Sequence, residues 1–200
     1  MLRGQSNPDV RAEPAGAATE RDELRLIGRV AAGERFAFEL LYRAYYPRLR
    51  RFLQRMTRRP ALIDELLDDT MLVVWHRPQA FNGTSKLSTW IFAIAYRKAL
   101  KALQRLDEPR ADPLDEPAAA AGEQPEQRLA QAQLRGALAL ALDGLSVEHR
   151  AVVELCYFHG MGYREIAEIV GCPVDTVKTR MFHARRRLRA ALPGRAEDWL

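Results

Sequence analysis

Residues 162–180 are GYREIAEIVGCPVDTVKTR, and this stretch has the pattern of a helix-turn-helix. Ile166, Ala167 and Val170 are predicted to form the buried side of a first short helix, and small Ala167 lets the second helix approach. Gly171 permits the tight turn, because glycine adopts positive φ without strain. Pro173 suits the first turn of the next helix, where its missing N–H costs nothing.

The second helix of this pair is predicted to read duplex DNA. Val174 and Val177 anchor it inward, which leaves polar and basic residues outside. In the major groove, Thr and Lys reach base edges and trailing arginines contact phosphates. The predicted contact residues are Asp175, Thr176, Lys178, Thr179, Arg180, His183 and Arg186. The alternative is a helical hairpin whose basic face is only solvated.

The remaining ordered stretches show helical periodicity, and none alternates as a strand does. We therefore predict an all-α protein. Its first helix is expected to follow a capping pair, Thr19 and Asp22, and to end at Gly33. The next helix is expected to bury one face that includes Phe36 and Ala44. Further helices are expected at about residues 61–75, 88–106, 129–142 and 147–158.

Composition divides the chain into two small helical domains. Residues 107–125 hold four prolines, an alanine run and mostly acidic charges, a composition typical of a flexible linker. Nineteen such residues reach at most about 65 Å when stretched. We predict a disordered leader at 1–19, a first domain at 20–106, this linker, and a second domain at 126–200 that contains the helix-turn-helix.

The charges lie in separate blocks, which favours several distinct binding surfaces. Residues 42–60 hold seven arginines and no acid, whereas residues 64–69 and 107–126 are acidic. Basic blocks suit phosphates, although solvated helix faces are the simpler explanation for any one of them. No apolar run approaches membrane-spanning length and no export signal opens the chain, so we expect a cytoplasmic protein without membrane insertion.

No catalytic constellation or cofactor motif is found, so we predict no enzyme and no cofactor. The candidate metal ligands are Cys156, His159, Cys172 and His183. Cys156 lies in an apolar run, where a buried thiol is the better interpretation, and no metal is predicted.

Several segments, in order along both domains, resemble extracytoplasmic-function (ECF) sigma factors of the sigma-70 family. They are Asp22-Glu23-Leu24, Ala31-Ala32-Gly33-Glu34, Phe38-Glu39-Leu40-Leu41-Tyr42, Trp75, Ser88-Thr89-Trp90-Ile91-Phe92-Ala93-Ile94-Ala95, Leu145-Ser146-Val147-Glu148-His149-Arg150, Thr176-Val177-Lys178-Thr179-Arg180 and Ala184-Arg185-Arg186-Arg187-Leu188. The resemblance implies an alternative sigma factor that directs transcription initiation of a stress or envelope-type regulon. It implies core RNA polymerase (clamp and flap regions), promoter DNA and an anti-sigma factor as partners.

The resemblance also assigns residues of the first domain. The implied polymerase-docking residues are Glu65, Leu66, Asp68, Asp69, Leu72 and Trp75. The implied contacts to the single-stranded −10 element are Asn82, Thr84, Ser85, Lys86, Trp90, Arg97, Lys98 and Lys101. The second domain is implied to bind the −35 element. Core packing is the rival interpretation of both tryptophans.

Three features depart from the family pattern. The docking helix begins Leu62-Ile63-Asp64-Glu65 and lacks the usual first acid, which predicts weaker polymerase affinity. Arg97 and Lys101 replace a common asparagine and aspartate, which leaves the −10 preference open. Thr57 lies in an arginine-rich turn, where phosphorylation would add negative charge; a solvated turn threonine is the alternative.

Two other functions are alternatives to a sigma factor. The first is a helix-turn-helix regulator that binds duplex DNA without joining polymerase, which leaves the first domain unexplained. The second is an enzyme, for which the sequence offers only the four candidate metal ligands above.

Overall fold

The computed structural model describes residues 15–106 and 136–191, and every regular element in those ranges is helical. This confirms the all-α prediction. An N-terminal unit holds α1 (Ala15–Ala31), α2 (Arg35–Met56), α3 (Pro60–His76), a 3₁₀ turn (Pro78–Ala80) and α4 (Leu87–Leu106). A C-terminal unit holds α5 (described over 136–143), α6 (Val147–Val153), a π-helical turn (Glu154–Phe158), α7 (Tyr163–Val170) and α8 (Val174–Ala191).

The first helix begins earlier than predicted. It starts at Ala15, so Thr19 lies inside it and the predicted capping pair is wrong. Alanine is the strongest helix former, and the alanine-rich segment before Thr19 extends the helix into the expected leader. Gly33, with φ 85°, follows the end of the helix as predicted. Residues 1–14 and the predicted linker, 107–125, lie outside the described ranges.

The core of the N-terminal unit forms around α2. Its buried stripe is Ala37, Leu41, Tyr45, Leu49, Phe52, Leu53 and Met56. The buried residues follow Ala37 at steps of three and four positions, as expected for one face of a helix. Phe36 precedes Ala37 by one position, lies off this face and is 64% exposed. Ala44 is exposed as well, so the prediction that these two residues join the buried face is wrong.

A π-helical turn interrupts the C-terminal unit after α6. The backbone N–H of His159 donates to the carbonyl of Glu154 at 3.2 Å, a five-residue step in place of the usual four. Ser146 is the N-cap of helix α6, and its hydroxyl accepts the backbone N–H of His149. The predicted span 147–158 is therefore helical throughout, with a change of helix type inside it.

The two units pack directly against each other. Helix α4 contacts α2 and α3 on one side and α7 on the other, and α2 also contacts α6. Residues 91–96 of α4 are consequently all buried, which is unusual for a helix at the edge of a small domain. The described part of the chain thus shares one continuous hydrophobic core.

Candidate nucleic-acid interface

Helices α7 and α8 form the predicted helix-turn-helix. Ile166 and Ala167 are buried as expected, and Ile169 is buried more deeply than Val170. Gly171 ends α7 in the left-handed region at φ 67°, and its N–H donates to the carbonyl of Ala167. The tight turn at a glycine is confirmed.

The start of α8 also follows the prediction closely. Pro173 directly precedes the helix, and its carbonyl accepts the N–H of Val177 at 3.2 Å. Val177, Met181 and Ala184 form the buried side of α8, while Val174 is half-buried.

Most of the predicted −35 contacts lie on the free side of α8. Asp175, Lys178, Thr179, His183 and Arg186 are exposed. The ammonium group of Lys178 pairs with the carboxylate of Asp175 at 2.9 Å, and an exposed pair of this kind is weak enough for DNA to replace.

Arg180 and Thr176 are half-buried. The guanidinium of Arg180 lies 3.8 Å from the Cys172 sulfur and next to Tyr96 of α4. Burial raises the pKa of the Tyr96 phenol, and the nearby Arg180 charge partly offsets that rise. Arg180 therefore faces the N-terminal unit in this arrangement, away from open solvent.

The loop between the 3₁₀ turn and α4 presents the predicted single-strand contacts. The side-chain oxygen of Asn82 accepts the backbone N–H of Thr84 at 3.0 Å and its hydroxyl at 2.7 Å. Gly83 adopts φ 72° between them, so residues of the loop itself fix the turn. Ser85 is half-buried, while Asn82, Thr84 and Lys86 are exposed.

Lys86 pairs with Glu165 of α7 at 2.8 Å. Burial raises the pKa of Glu165, but hydrogen bonds from Lys86 and the Gly162 N–H outweigh burial and hold that pKa below its ordinary value. The predicted DNA contact Lys86 is thus already engaged by the helix-turn-helix.

The predicted contacts on α4 fall into two groups. Arg97 and Lys101 are exposed and free to meet a phosphate backbone. Lys98 is half-buried and pairs with Asp69 of α3 at 2.7 Å. Trp90 is also half-buried, with its ring centroid 5.6 Å from that of Phe81. Its side chain therefore packs against Phe81, and part of it remains accessible to solvent.

The acidic face of α3 carries the predicted docking residues. Glu65 and Asp68 are exposed, and Asp68 accepts a hydrogen bond from the Tyr42 hydroxyl at 3.3 Å. Leu72 is 49% exposed, whereas Leu66 is 4% exposed and lies in the core. Trp75 is half-buried against Phe38, with 5.1 Å between ring centroids. Leu66 therefore supports the docking face from beneath and does not belong to its surface.

Thr57 follows α2 and is only 2% exposed. The alternative of a solvated turn threonine is wrong, because the side chain is buried and its Oγ1 accepts the backbone N–H of Arg59 at 3.4 Å. In this arrangement the hydroxyl is out of reach of a kinase, so the phosphorylation hypothesis requires that this turn open first.

The four candidate metal ligands do not come together. Within residues 15–106 and 136–191, no group of three or more His, Cys, Asp or Glu side chains is arranged to hold a metal ion. His159 lies against the rings of Phe52 and Phe92, and Cys156 is half-buried. Among the same residues, no helix is long and apolar enough to cross a membrane.

Comparison with known proteins assigns both units. Residues 41–108 match the family Sigma-70 region 2, and residues 135–188 match the family Sigma-70, region 4. The chain is 30% identical over 177 residues to the ECF RNA polymerase sigma factor SigM of Mycobacterium tuberculosis, covering 88% of each chain. This chain belongs to the ECF sigma factors of the sigma-70 family. It is an alternative RNA polymerase sigma factor, and a regulator that never joins polymerase is not favoured.

Other proteins are similar over most of this chain. The ECF RNA polymerase sigma-E factor of Haemophilus influenzae is 27% identical and covers 86% of this chain and 95% of its own. The solved structure of CnrH with the cytosolic domain of CnrY superposes with a TM-score of 0.62 at 25% identity, covering 84% of this chain and 95% of that one. The sigma factor RpoE with the anti-sigma factor NepR from Bartonella quintana has a TM-score of 0.57 at 25% identity, covering 77% and 95%.

Sequence reasoning missed the residues that join the two units of this sigma factor. Arg55, Arg58, Asp143, Glu154 and His159 form that contact, and none of them was singled out for it. One signal was available: Glu154 interrupts the apolar run Val152, Val153 and Leu155. An acid on the buried side of a helix needs a partner, but the sequence does not say which element supplies it.

Proposed function

We propose that this sigma factor divides promoter recognition among three surfaces. The docking surface lies on the acidic face of α3 and meets basic residues of the polymerase clamp. It consists of Glu65, Asp68, Asp69, Leu72 and Trp75. The −10 surface is Asn82, Thr84, Ser85, Lys86, Trp90, Arg97, Lys98 and Lys101. The −35 surface is Asp175, Thr176, Lys178, Thr179, Arg180, His183 and Arg186.

The observation that carries the assignment is the preformed Asn82 loop beside the basic side of α4. Its polar groups are held by internal hydrogen bonds, so a base extruded from the duplex meets a rigid edge and loses little entropy on binding. Arg97 and Lys101 on the adjoining helix suit the backbone of the same strand.

Partners and setting are part of the proposal. The sigma factor RpoE from Bartonella quintana is seen with the anti-sigma factor NepR, which supports an anti-sigma partner for this chain. We infer action in the cytoplasm, on a stress or envelope-type regulon, without catalysis by the sigma factor itself. Phosphorylation of Thr57 stays a hypothesis, and normal polymerase binding by Thr57→Ala in cells would remove it.

The test is run-off transcription with core polymerase of the host on a pool of genomic promoter fragments. We expect discrete transcripts only when the sigma factor is present. Lys178→Ala and Asn82→Ala should each reduce them by about tenfold or more, the cost of one good base contact. Arg25→Ala, an exposed charge on α1 outside the three surfaces, is the matched control and should have no effect. Duplex binding without any transcript would refute the proposal.

A further inference from the structure

Four acids lie on α3, and two of them form ion pairs inside the N-terminal unit. Asp64 lies 2.7 Å from the guanidinium of Arg50 on α2, and Asp69 lies 2.7 Å from the ammonium group of Lys98 on α4. The other two acids pair with no cation within residues 15–106 and 136–191. The negative charge that α3 offers to a partner is therefore smaller than its sequence suggests.

Asp64 begins the stripe of side chains to which most of the proposed docking surface belongs. Asp68, Leu72 and Trp75 follow it at steps of four, four and three positions, so the four side chains share one face of α3. The side chain of Asp64 is 57% exposed. A partner that covers this face therefore also reaches Asp64 and the charge that is paired with it.

Helix α2 presents a row of side chains against this stripe, at every fourth position: Phe38, Tyr42, Tyr46 and Arg50. Phe38 packs on Trp75 with 5.1 Å between ring centroids, and the Tyr42 hydroxyl donates to Asp68 at 3.3 Å. Burial and the charge of Asp68 raise the pKa of Tyr42, so this phenol keeps its proton. The neutral aromatic residues leave the acids of α3 charged, whereas Arg50 neutralises one of them.

Two neighbours hold Arg50 beside the docking surface. Its guanidinium donates to the Tyr46 hydroxyl at 3.0 Å and to the Asp64 carboxylate at 2.7 Å, and it lies 5.9 Å from the centre of the Tyr46 ring. An exposed ion pair usually contributes little, because two long side chains lose rotational freedom when they meet. Since Tyr46 already orients the guanidinium, less additional order is needed to keep its charge on Asp64.

We propose that Arg50 sets a low affinity of this sigma factor for core polymerase, because its positive charge neutralises Asp64 and repels the basic surface that docks on α3. The inference rests on the proposed assignment of the docking surface. Opposite charges across an interface favour association, and like charges oppose it. One charge about 4 Å from a partner's cation changes the affinity about fivefold, even at the dielectric constant of water.

The first measurement is the affinity of the labelled full-length protein for core polymerase, taken by fluorescence anisotropy at several salt concentrations. Arg50→Met keeps most of the side-chain length and removes the charge. We expect it to bind about fivefold more tightly than the wild type at low salt and to lose affinity more steeply as salt is added. Arg50→Lys keeps the charge and should bind within about twofold of the wild type.

The second measurement removes the other member of the pair. Asp64→Asn leaves the charge of Arg50 without its acid and should weaken binding about fivefold. The double variant Arg50→Met, Asp64→Asn carries neither charge and should return to the affinity of the wild type.

Arg25→Met is the matched control, because it also breaks an exposed arginine–aspartate pair, 3.4 Å from Asp22 on α1 and outside the docking surface. It changes the net charge by the same amount as Arg50→Met and should leave the affinity for core polymerase unchanged. Circular dichroism checks that each variant is folded.

The outcomes separate the role of Arg50 from the proposed function. Equal or weaker binding by folded Arg50→Met would refute the inference, as would an equal gain in Arg25→Met. If Arg50→Met does not fold, Asp64→Asn decides, since binding as tight as that of the wild type removes the role of Arg50. A wild-type protein that does not bind core polymerase at all would instead refute the proposed function.

Discussion

Replacing Glu154 by Gln should stabilise the folded protein, and more so at high pH. Burial raises the pKa of this carboxyl from its ordinary 4.5 to about 7, against the opposing influence of Arg55, Arg150 and Arg51. The folded state therefore favours the protonated acid. Its contribution to stability is intact below pH 4.5 and is lost as the pH rises through about 7.

The magnitude follows from that shift. At 1.36 kcal/mol per pKa unit, the ionisable carboxyl lowers the free energy of unfolding by about 1 kcal/mol at pH 5 and about 3 kcal/mol at pH 8. Gln has nearly the same shape and no charge, so it removes this cost.

Urea unfolding at pH 5 and pH 8 measures the effect. The free energy of unfolding should be higher for the variant than for the wild type, and this difference should grow by about 2 kcal/mol from pH 5 to pH 8. A pH-independent increment, or a destabilised variant, would show that Glu154 is ionised and well paired when folded.

Three further predictions concern other parts of the molecule. Burial, followed by the charges of Arg48 and Arg51, lowers the pKa of His159 to about 4, so its contribution to stability is present above pH 6.5 and is lost as the pH falls toward 4. Between pH 7 and pH 5, the free energy of unfolding should then rise by about 2 kcal/mol in His159→Gln and fall by about 2 kcal/mol in Glu154→Gln. In the wild type the two effects nearly cancel. Urea unfolding that shows the same pH dependence for all three proteins would contradict this prediction. Gly171→Ala should cost about 1–2 kcal/mol in urea unfolding, because alanine is strained at φ 67° although no atom lies within 4 Å of its added Cβ; equal stability would mean that the turn relaxes. Leu72→Ala should weaken binding to core polymerase about tenfold in a pull-down titration, since Leu72 is an exposed apolar residue on the proposed docking surface, while isolated duplex affinity stays unchanged.

The helix-turn-helix was predicted almost completely from sequence because its signals are local. Gly171 and Pro173 act through their own backbone preferences. The burial of Ile166 and Val177 follows from the helical periodicity of the apolar residues in their own helices. The loop at Asn82 is local in the same sense, since its hydrogen bonds join residues two positions apart. Phe36 shows the limit of such reasoning: it belongs to an apolar pattern, but which residue of two neighbours faces the core depends on what packs against the helix.

The sequence alone determined the helical class, the helix-turn-helix and the segregation of charge, because helical periodicity and turn chemistry depend on neighbouring residues. It did not determine that Arg55 meets Glu154, that His159 lies between two aromatic rings of another unit, or that Lys86 is already paired. Those contacts join residues up to 107 positions apart, from Phe52 to His159. Only the tertiary structure decides them, because their energy depends on how two folded surfaces meet and on the solvent that they exclude.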